Sequence, residues 1–256
     1  MKRIAFFTLA VLLAGACLAG CSTRSISDSG YRASSYRADY RGELNELAVL
    51  GATDQGGITE EMIQAAMAGP REVSLRRGDT VVLVQSGARF PDEPMMEAMA
   101  RYFDIIPLSG VPEQPAAHGR HMAEAPDQRP LDRALRLSAA RAGAGTLIVY
   151  WGVLESGIEN EATKTVSWVP VVGRLVPDES QQMRIRLKAA VIDVATGNWV
   201  MLTPETFGDR RLSARVNRES ADQAQVALLK EKAYTDFANT LLAQLAERGQ
   251  LRAARR

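Results

Sequence analysis

The hydrophobic pattern changes period several times along the chain, and each change marks an element. The first run is continuous: Ile4 to Ala16 carries no charge, follows Met1-Lys2-Arg3 and leads into Leu18-Ala19-Gly20-Cys21 and the polar Ser22-Thr23. As a helix, residues 4–20 would reach about 25 Å at about 1.5 Å per residue, short of the roughly 30 Å core of a bilayer. A basic start, an apolar middle and a small-residue end describe a secretion signal over residues 1–20. Residues 21–41 then show no apolar period and are rich in Ser, Arg, Tyr and Gly, the composition of a flexible tether. Tyr31, Tyr36 and Tyr40 interrupt it; they suit packing onto the folded domain, the preferred reading, or a place at the bilayer headgroups.

Folded structure is expected over residues 42–248 as one domain. Thr59 as N-cap, Glu60 and Glu61 in the first turn and Gly69-Pro70 as the stop predict a helix ending at Ala68. Glu72 to Leu75 and Thr80 to Ser86 flank Arg76-Arg77-Gly78-Asp79 and read as strand, turn and strand. Val81 to Val84 is an unbroken apolar run, which suits a strand buried on both faces. After the loop at Gly87 a helix opens at Asp92-Glu93-Pro94. Its Met95, Met96, Met99, Tyr102 and Phe103 share one face. A methionine stripe suits an adaptable binding surface, but core packing is the preferred reading.

Asp104 to Leu108 is the next expected strand, completing a strand-helix-strand unit with a right-handed crossover. Residues 111–130 hold four prolines and no apolar period, so they form a long loop. Leu131 to Ala142 reads as a helix stopped by Gly143, and Thr146 to Leu154 as an apolar strand. Met183 to Val194 and Asn198 to Leu202 make a hairpin through Ala195-Thr196-Gly197, with Asp193 bonding the turn. A helix from Ser220 to about Glu247 aligns Val226, Leu229, Ala233, Phe237, Leu241 and Leu245 in a narrow stripe. That stripe needs a cover, the sheet by preference and a second helix of a dimer otherwise. Residues 249–256 are basic and expected to be a disordered tail. The fold class is therefore α/β (α+β): a mixed sheet with a strand-helix-strand unit, a C-terminal antiparallel hairpin and a long C-terminal helix on the sheet.

Charge and cysteine usage narrow the function. The chain of 256 residues has 31 basic and 30 acidic residues, and removal of residues 1–20 takes away only Lys2 and Arg3. A nearly neutral chain offers no overall field for nucleic acid or for an anionic surface. Both cysteines, Cys17 and Cys21, lie at the signal, so the mature domain has neither a disulfide nor a thiolate nucleophile.

Leu18, Ala19, Gly20 and Cys21 resemble the bacterial lipobox at every position. The resemblance implies cleavage before Cys21 and a lipid on its thiol, so the membrane is a partner through that anchor. Cys17 is a poorer site, because Ala14 stands where leucine is preferred. Ser22, in place of an aspartate, favours the outer membrane with the domain facing the periplasm.

The order of elements carries a second resemblance. The strand-helix-strand unit at Thr80 to Leu108, the helix and strand Leu131 to Leu154 containing Arg-Ala-Gly-Ala-Gly-Thr-Leu-Ile-Val, and the hairpin Leu187 to Val200 containing Val-Ile-Asp-Val-Ala-Thr-Gly-Asn-Trp look like one known domain type. It is the α/β domain of envelope proteins such as the TolB N-terminal domain, CsgG and LpoB. This covers roughly residues 70–248 and rests on pattern, so no functional residue carries over. It implies a non-enzymatic envelope protein that works by binding. A pore would need long alternating strands, and Pro170 and Pro177 break the one insertion available, residues 155–182.

Candidate chemistry is sparse. His118 and His121, the chain's two histidines, lie with Glu124 at spacings that would suit zinc on a helix, but glycine and prolines oppose a helix there. Ser86 and Ser109 end strands, where nucleophiles are often displayed, yet neither sits in a Gly-x-Ser-x-Gly elbow. Gln85-Ser86-Gly87-Ala88-Arg89 leads to a helix N-terminus without a phosphate-binding fingerprint. No carboxylate pair stands out for glycoside cleavage. No catalytic residue, metal or cofactor is therefore expected. The apolar but proline-broken segment with Trp168, Val171, Val172, Leu175 and Val176 is either an edge hairpin folded over the core or an exposed partner surface. The expected function is a non-catalytic outer-membrane lipoprotein binding an envelope protein or itself, and the competing one an envelope hydrolase acting on peptidoglycan or peptides.

Overall fold

The computed structural model describes residues 22–28, 40–53, 57–69, 73–112, 130–160, 179–213 and 218–253. Its centre is β2 (Thr80–Ser86), whose unbroken apolar run is buried on both faces as expected. Val81 and Leu83 enter one core cluster, and Val82 and Val84 the other. β3 (Asp104–Gly110) pairs with it in parallel along one edge, from Thr80↔Asp104 to Ser86↔Gly110. β4 (Thr146–Asn160) pairs in parallel along the other, from Val81↔Thr146 to Gln85↔Tyr150. With both edges taken, no ladder is left for an antiparallel neighbour, so the strand expected at Glu72 to Leu75 is corrected: Glu72 lies outside the described residues, and residues 73–75 belong to no strand, with Leu75 buried. The turn after it forms as read, with Gly78 at φ 88° and the Asp79 carboxylate accepting from the Arg76 N–H at 2.7 Å.

Beyond β2 the sheet continues through a long antiparallel hairpin. β5 (Glu179–Asp193) runs beside β4 over its whole length, from Thr146↔Asp193 to Asn160↔Glu179. β6 (Trp199–Leu202) returns along β5 through the expected turn, where Gly197 has φ 79° and the Asp193 carboxylate accepts from the Thr196 N–H and hydroxyl, both at 2.7 Å. β7 (Phe207–Ser213) pairs farther along β5. Its Phe-Gly-Asp-Arg-Arg-Leu-Ser carries no alternating pattern and was not expected as a strand. The path of the sheet is β3-β2-β4-β5-β6, with β7 also on β5 and a short β1 (Ser22–Ser25) on β4.

Helices cover both faces. On one lie α3 (Glu93–Ala100), with Met95, Met99 and the following Phe103 buried, and α5 (Arg218–Ala253), with Leu229, Ala233, Phe237 and Leu241 buried. The methionine stripe is thus core, and the C-terminal stripe is covered by the sheet. α5 extends six residues past the expected end at Glu247, into the stretch read as a tail. On the opposite face lie α4 (Leu131–Arg141) and a one-turn α1 (Glu46–Val49), over Val84, Val149 and Trp151. α2 (Glu60–Ala68) forms where read, with the Thr59 hydroxyl accepting from the Met62 N–H at 3.3 Å, and has no buried residue.

The reading of residues 21–41 as free tether is corrected for part of its length. Ser22 to Ser25 is a sheet strand, Ile26 to Asp28 a 3₁₀ turn with Ile26 buried, and Tyr40 is half-buried. Four residues reading Ser-Thr-Arg-Ser carry no hydrophobic signal. They pair because β4 runs past the end of β2 and leaves its edge free for an antiparallel partner, Ser22↔Ser156 to Ser25↔Val153.

Candidate functional site

In an open α/β sheet the place for a ligand is outside the carboxyl ends of the parallel strands, where connections leave in opposite directions. Here that place is the end of β2, since β3 lies on one side of it and β4 on the other. The backbone there is tightly set. A Cβ on Gly110 would stand 2.0 Å from the Gln85 carbonyl oxygen, and Gly87 turns the chain at φ 80°. The chain's own N-terminal part fills the space. The Ser86 hydroxyl accepts from the Leu44 N–H at 2.7 Å, the Ser27 hydroxyl donates to the Ser86 carbonyl at 2.6 Å, and a Cβ on Gly87 would meet the Tyr40 ring at 2.9 Å.

Around this end a polar network runs through the core. The Gln85 side-chain oxygen accepts from the Tyr150 hydroxyl at 2.5 Å and from the Asp92 backbone N–H at 2.7 Å, while its amide donates to the Ser27 hydroxyl at 3.0 Å. The Asp92 carboxylate accepts from Tyr234 at 2.6 Å and from Lys230 at 2.7 Å, and Lys230 also donates to the Ile26 carbonyl at 3.0 Å. Asp92 precedes α3 but makes no side-chain cap, because its carboxylate is committed to α5. The two phenols meet edge to face at 6.0 Å. Burial pushes both well above their ordinary pKa of 10.0, and the charge of Asp92 acts in the same direction. They therefore stay protonated donors at neutral pH, the state that holds an amide oxygen and a carboxylate and the reverse of what a tyrosine base requires.

On the same face of the sheet as the network, Gly152 leaves a notch. A Cβ there would meet Leu187 at 2.7 Å and the Ile26 side chain at 2.8 and 2.9 Å, so Ile26 occupies the volume a side chain would take. Strand pairing, the Ile26 notch and hydrogen bonds from Lys230, Ser27 and Gln85 together fasten residues 22–28 to the domain. Ser25 also donates to Glu43, and the Trp151 indole donates to the Leu44 carbonyl at 3.0 Å.

The model of the YafT bacterial lipoprotein family matches residues 45–244. The chain belongs to that family. No curated protein matches it. Among solved structures, the dodecamer of a PelC point variant from Paraburkholderia phytofirmans aligns at 16% identity over 62% of this chain and 90% of that one, with a TM-score of 0.24. The hypothetical protein CT253 from Chlamydia trachomatis aligns at 11% identity over 66% and 98%, with a TM-score of 0.27.

Of the residues singled out in the sequence of this YafT-family chain, several lie outside the described residues. These are Leu18, Ala19, Gly20 and Cys21, His118, His121 and Glu124, and Trp168, Val171, Val172, Leu175 and Val176. Ser86 is buried with its hydroxyl engaged, and the Ser109 hydroxyl accepts from the Val111 N–H at 3.4 Å. Gln85 and Ser86 are joined to the network. Ser27, Tyr150, Lys230 and Tyr234 were missed, although Lys230 and Tyr234, four apart on a helix, are a polar pair beside an apolar stripe. Two surfaces also come into view. The apolar residues Ile58, Met62, Ile63 and Met67 on and before α2 are exposed, as is Leu47 on α1. On β5, Arg184 and Arg186 share the Glu155 carboxylate, and Lys188 pairs with Glu46 and lies 5.7 Å from the Trp151 ring centre. Among the described residues no group of His, Cys, Asp and Glu is arranged to hold a metal.

Proposed function

We infer that this protein is an outer-membrane lipoprotein, anchored at Cys21 with its domain in the periplasm, that works without catalysis by binding an envelope protein or a second copy of itself. Membership of a bacterial lipoprotein family supports the anchor, and Leu18-Ala19-Gly20-Cys21 supplies the residues for it. The likeness of its element order to the TolB N-terminal, CsgG and LpoB domains is in keeping with a binding role.

The observation that carries the binding role is α2. A helix of nine residues contributes nothing to the core, yet places Met62, Ile63 and Met67 on one stripe, between 44% and 60% exposed. Apolar side chains grouped this way on a surface gain from being covered, and methionine adapts to varied partners. The network at the end of β2 supports the non-catalytic part of the reading, because its donors and acceptors are spent on one another and on residues 22–28.

The test is site-specific photocrosslinking from position 62 or 67 in cells, with position 196 on the β5–β6 turn as the control. The expected result is one discrete adduct, an envelope protein or a dimer, that disappears with Met67→Glu. Equal labelling from positions 62 and 196, or glycan- or peptide-hydrolysing activity of the purified protein, would overturn the reading.

A further inference from the structure

We propose that the open face of the antiparallel extension, centred on Arg184 and Arg186, lies against the anionic headgroups of the bilayer that carries the anchor, so that the domain is held flush with the membrane. The inference rests on lipid attachment at Cys21. Its own content is the surface that meets the lipid and the orientation this imposes.

Strand register puts the arginines beside the anchor. Thr23 pairs with Glu155 and Glu155 with Arg184; Ser25 pairs with Val153 and Val153 with Arg186. Residues directly opposite one another across a sheet point to the same face, so Thr23, Ser25, Arg184 and Arg186 share one. Two strand spacings and a few residues of rise put Arg184 about 10 Å and Arg186 about 14 Å from the backbone of Ser22. Cys21 is the next residue. A lipid on its thiol therefore brings the headgroup layer within the reach of both arginines, because residues 22–28 are fastened to the domain and leave no slack between anchor and sheet.

Exposure and charge agree with this placement. α1 and α4 cover this face of the sheet over Trp151 and Val149, and Glu46 of α1 reaches Lys188. Farther along β5 the Arg184 and Arg186 side chains are 57% and 53% exposed. Among the described residues they share one carboxylate, Glu155, so within that set the pair keeps a positive charge. A guanidinium carries five N–H donors in a planar fork that suits phosphate oxygens, and Glu155 engages only some of the ten. The other face of the extension is closed by α5, which packs Leu229, Phe237 and Leu241 over Met183, Ile185 and Leu187.

The experiment uses the lipidated full protein in vesicles of zwitterionic lipid with about a quarter anionic phospholipid. The mature chain has no free cysteine, so Gln182→Cys, on the arginine face, or Thr196→Cys, on the distant turn, takes a single fluorophore. Quenching by a headgroup-attached quencher is expected at 182 and not at 196. One arginine near an anionic surface shifts such an equilibrium by about fivefold, so Arg186→Gln should lower the docked-to-undocked ratio at 182 by about that factor, and vesicles without anionic lipid should lower it further. Equal quenching at both positions, or no response to Arg186→Gln and to lipid charge, overturns the proposal. The mass of the N-terminal peptide from the same sample reports the anchor separately: an unmodified Cys21 ends both readings, whereas a lipidated Cys21 with no quenching at 182 ends this one alone.

Discussion

Single residues decide whether the N-terminal segment belongs to the domain. Gly152 keeps ordinary backbone geometry, so its value is the volume it leaves to Ile26 and Leu187. Gly152→Val should force Ile26 out of its notch and lower stability by about 1–3 kcal/mol, the usual cost of overpacking. Urea unfolding measures the loss, and limited proteolysis should show cleavage within residues 22–28 that the parent protein resists. Tyr234→Phe removes one donor from Asp92 and keeps the ring, so about 1–3 kcal/mol is expected from the partly unsatisfied carboxylate. At this scale the sequence reveals turn residues well, as with Asp193 and Gly197, because their chemistry is local. It conceals the network, whose members lie at positions 27, 85, 92, 150, 230 and 234. Each one alone has the look of an ordinary surface polar group, and only the fold gathers them.

At the scale of elements, what was legible follows from burial. β2 was visible because both its faces are dry, and α5 because its stripe packs on the sheet. β1 and β7 were hidden because the edge of a long hairpin, β4–β5, recruits them through backbone pairing that asks nothing of their side chains. The joint between α3 and α5 is the Asp92–Lys230 pair, whose side chains are only 26% and 14% exposed. Lys230→Met keeps the length and apolar body of the side chain but removes two hydrogen bonds, one to Asp92 and one to the Ile26 carbonyl. A loss of about 1.5–3 kcal/mol is expected, with the N-terminal segment released as in the Gly152 variant. α2 should behave in the opposite way. Met62→Asp or Met67→Glu changes an exposed position, so thermal unfolding should stay within about 0.5 kcal/mol of the parent while partner capture is lost.

For the whole molecule, the buried phenols set an alkaline limit. Their pKa values are raised above the ordinary 10.0 that the unfolded chain restores, so the folded state retains their protons longer. Their contribution to stability is therefore fully present below pH 10 and is lost as pH rises through the folded values. Urea midpoints measured across this range should fall above pH 10, and the fall should be shallower in the double variant Tyr150→Phe, Tyr234→Phe. The general architecture was readable because parallel and antiparallel units each have their own periodicity. The site was less so, because the position that an open α/β sheet would offer to a ligand is taken by Ser27, Tyr40 and Leu44 of the same chain.

That occupancy has a temporal side. Residue 26 is held by a lysine 204 positions later, and β1 needs β4, whose paired residues begin at Val153. Contacts so distant in sequence form late, after the loops between them have closed. If the chain is exported with its N-terminus leading, as the proposed anchor at Cys21 requires, the cysteine would emerge while the strand after it has no partner. Docking of that strand would be the closing event of folding, completed only when the last helix has arrived.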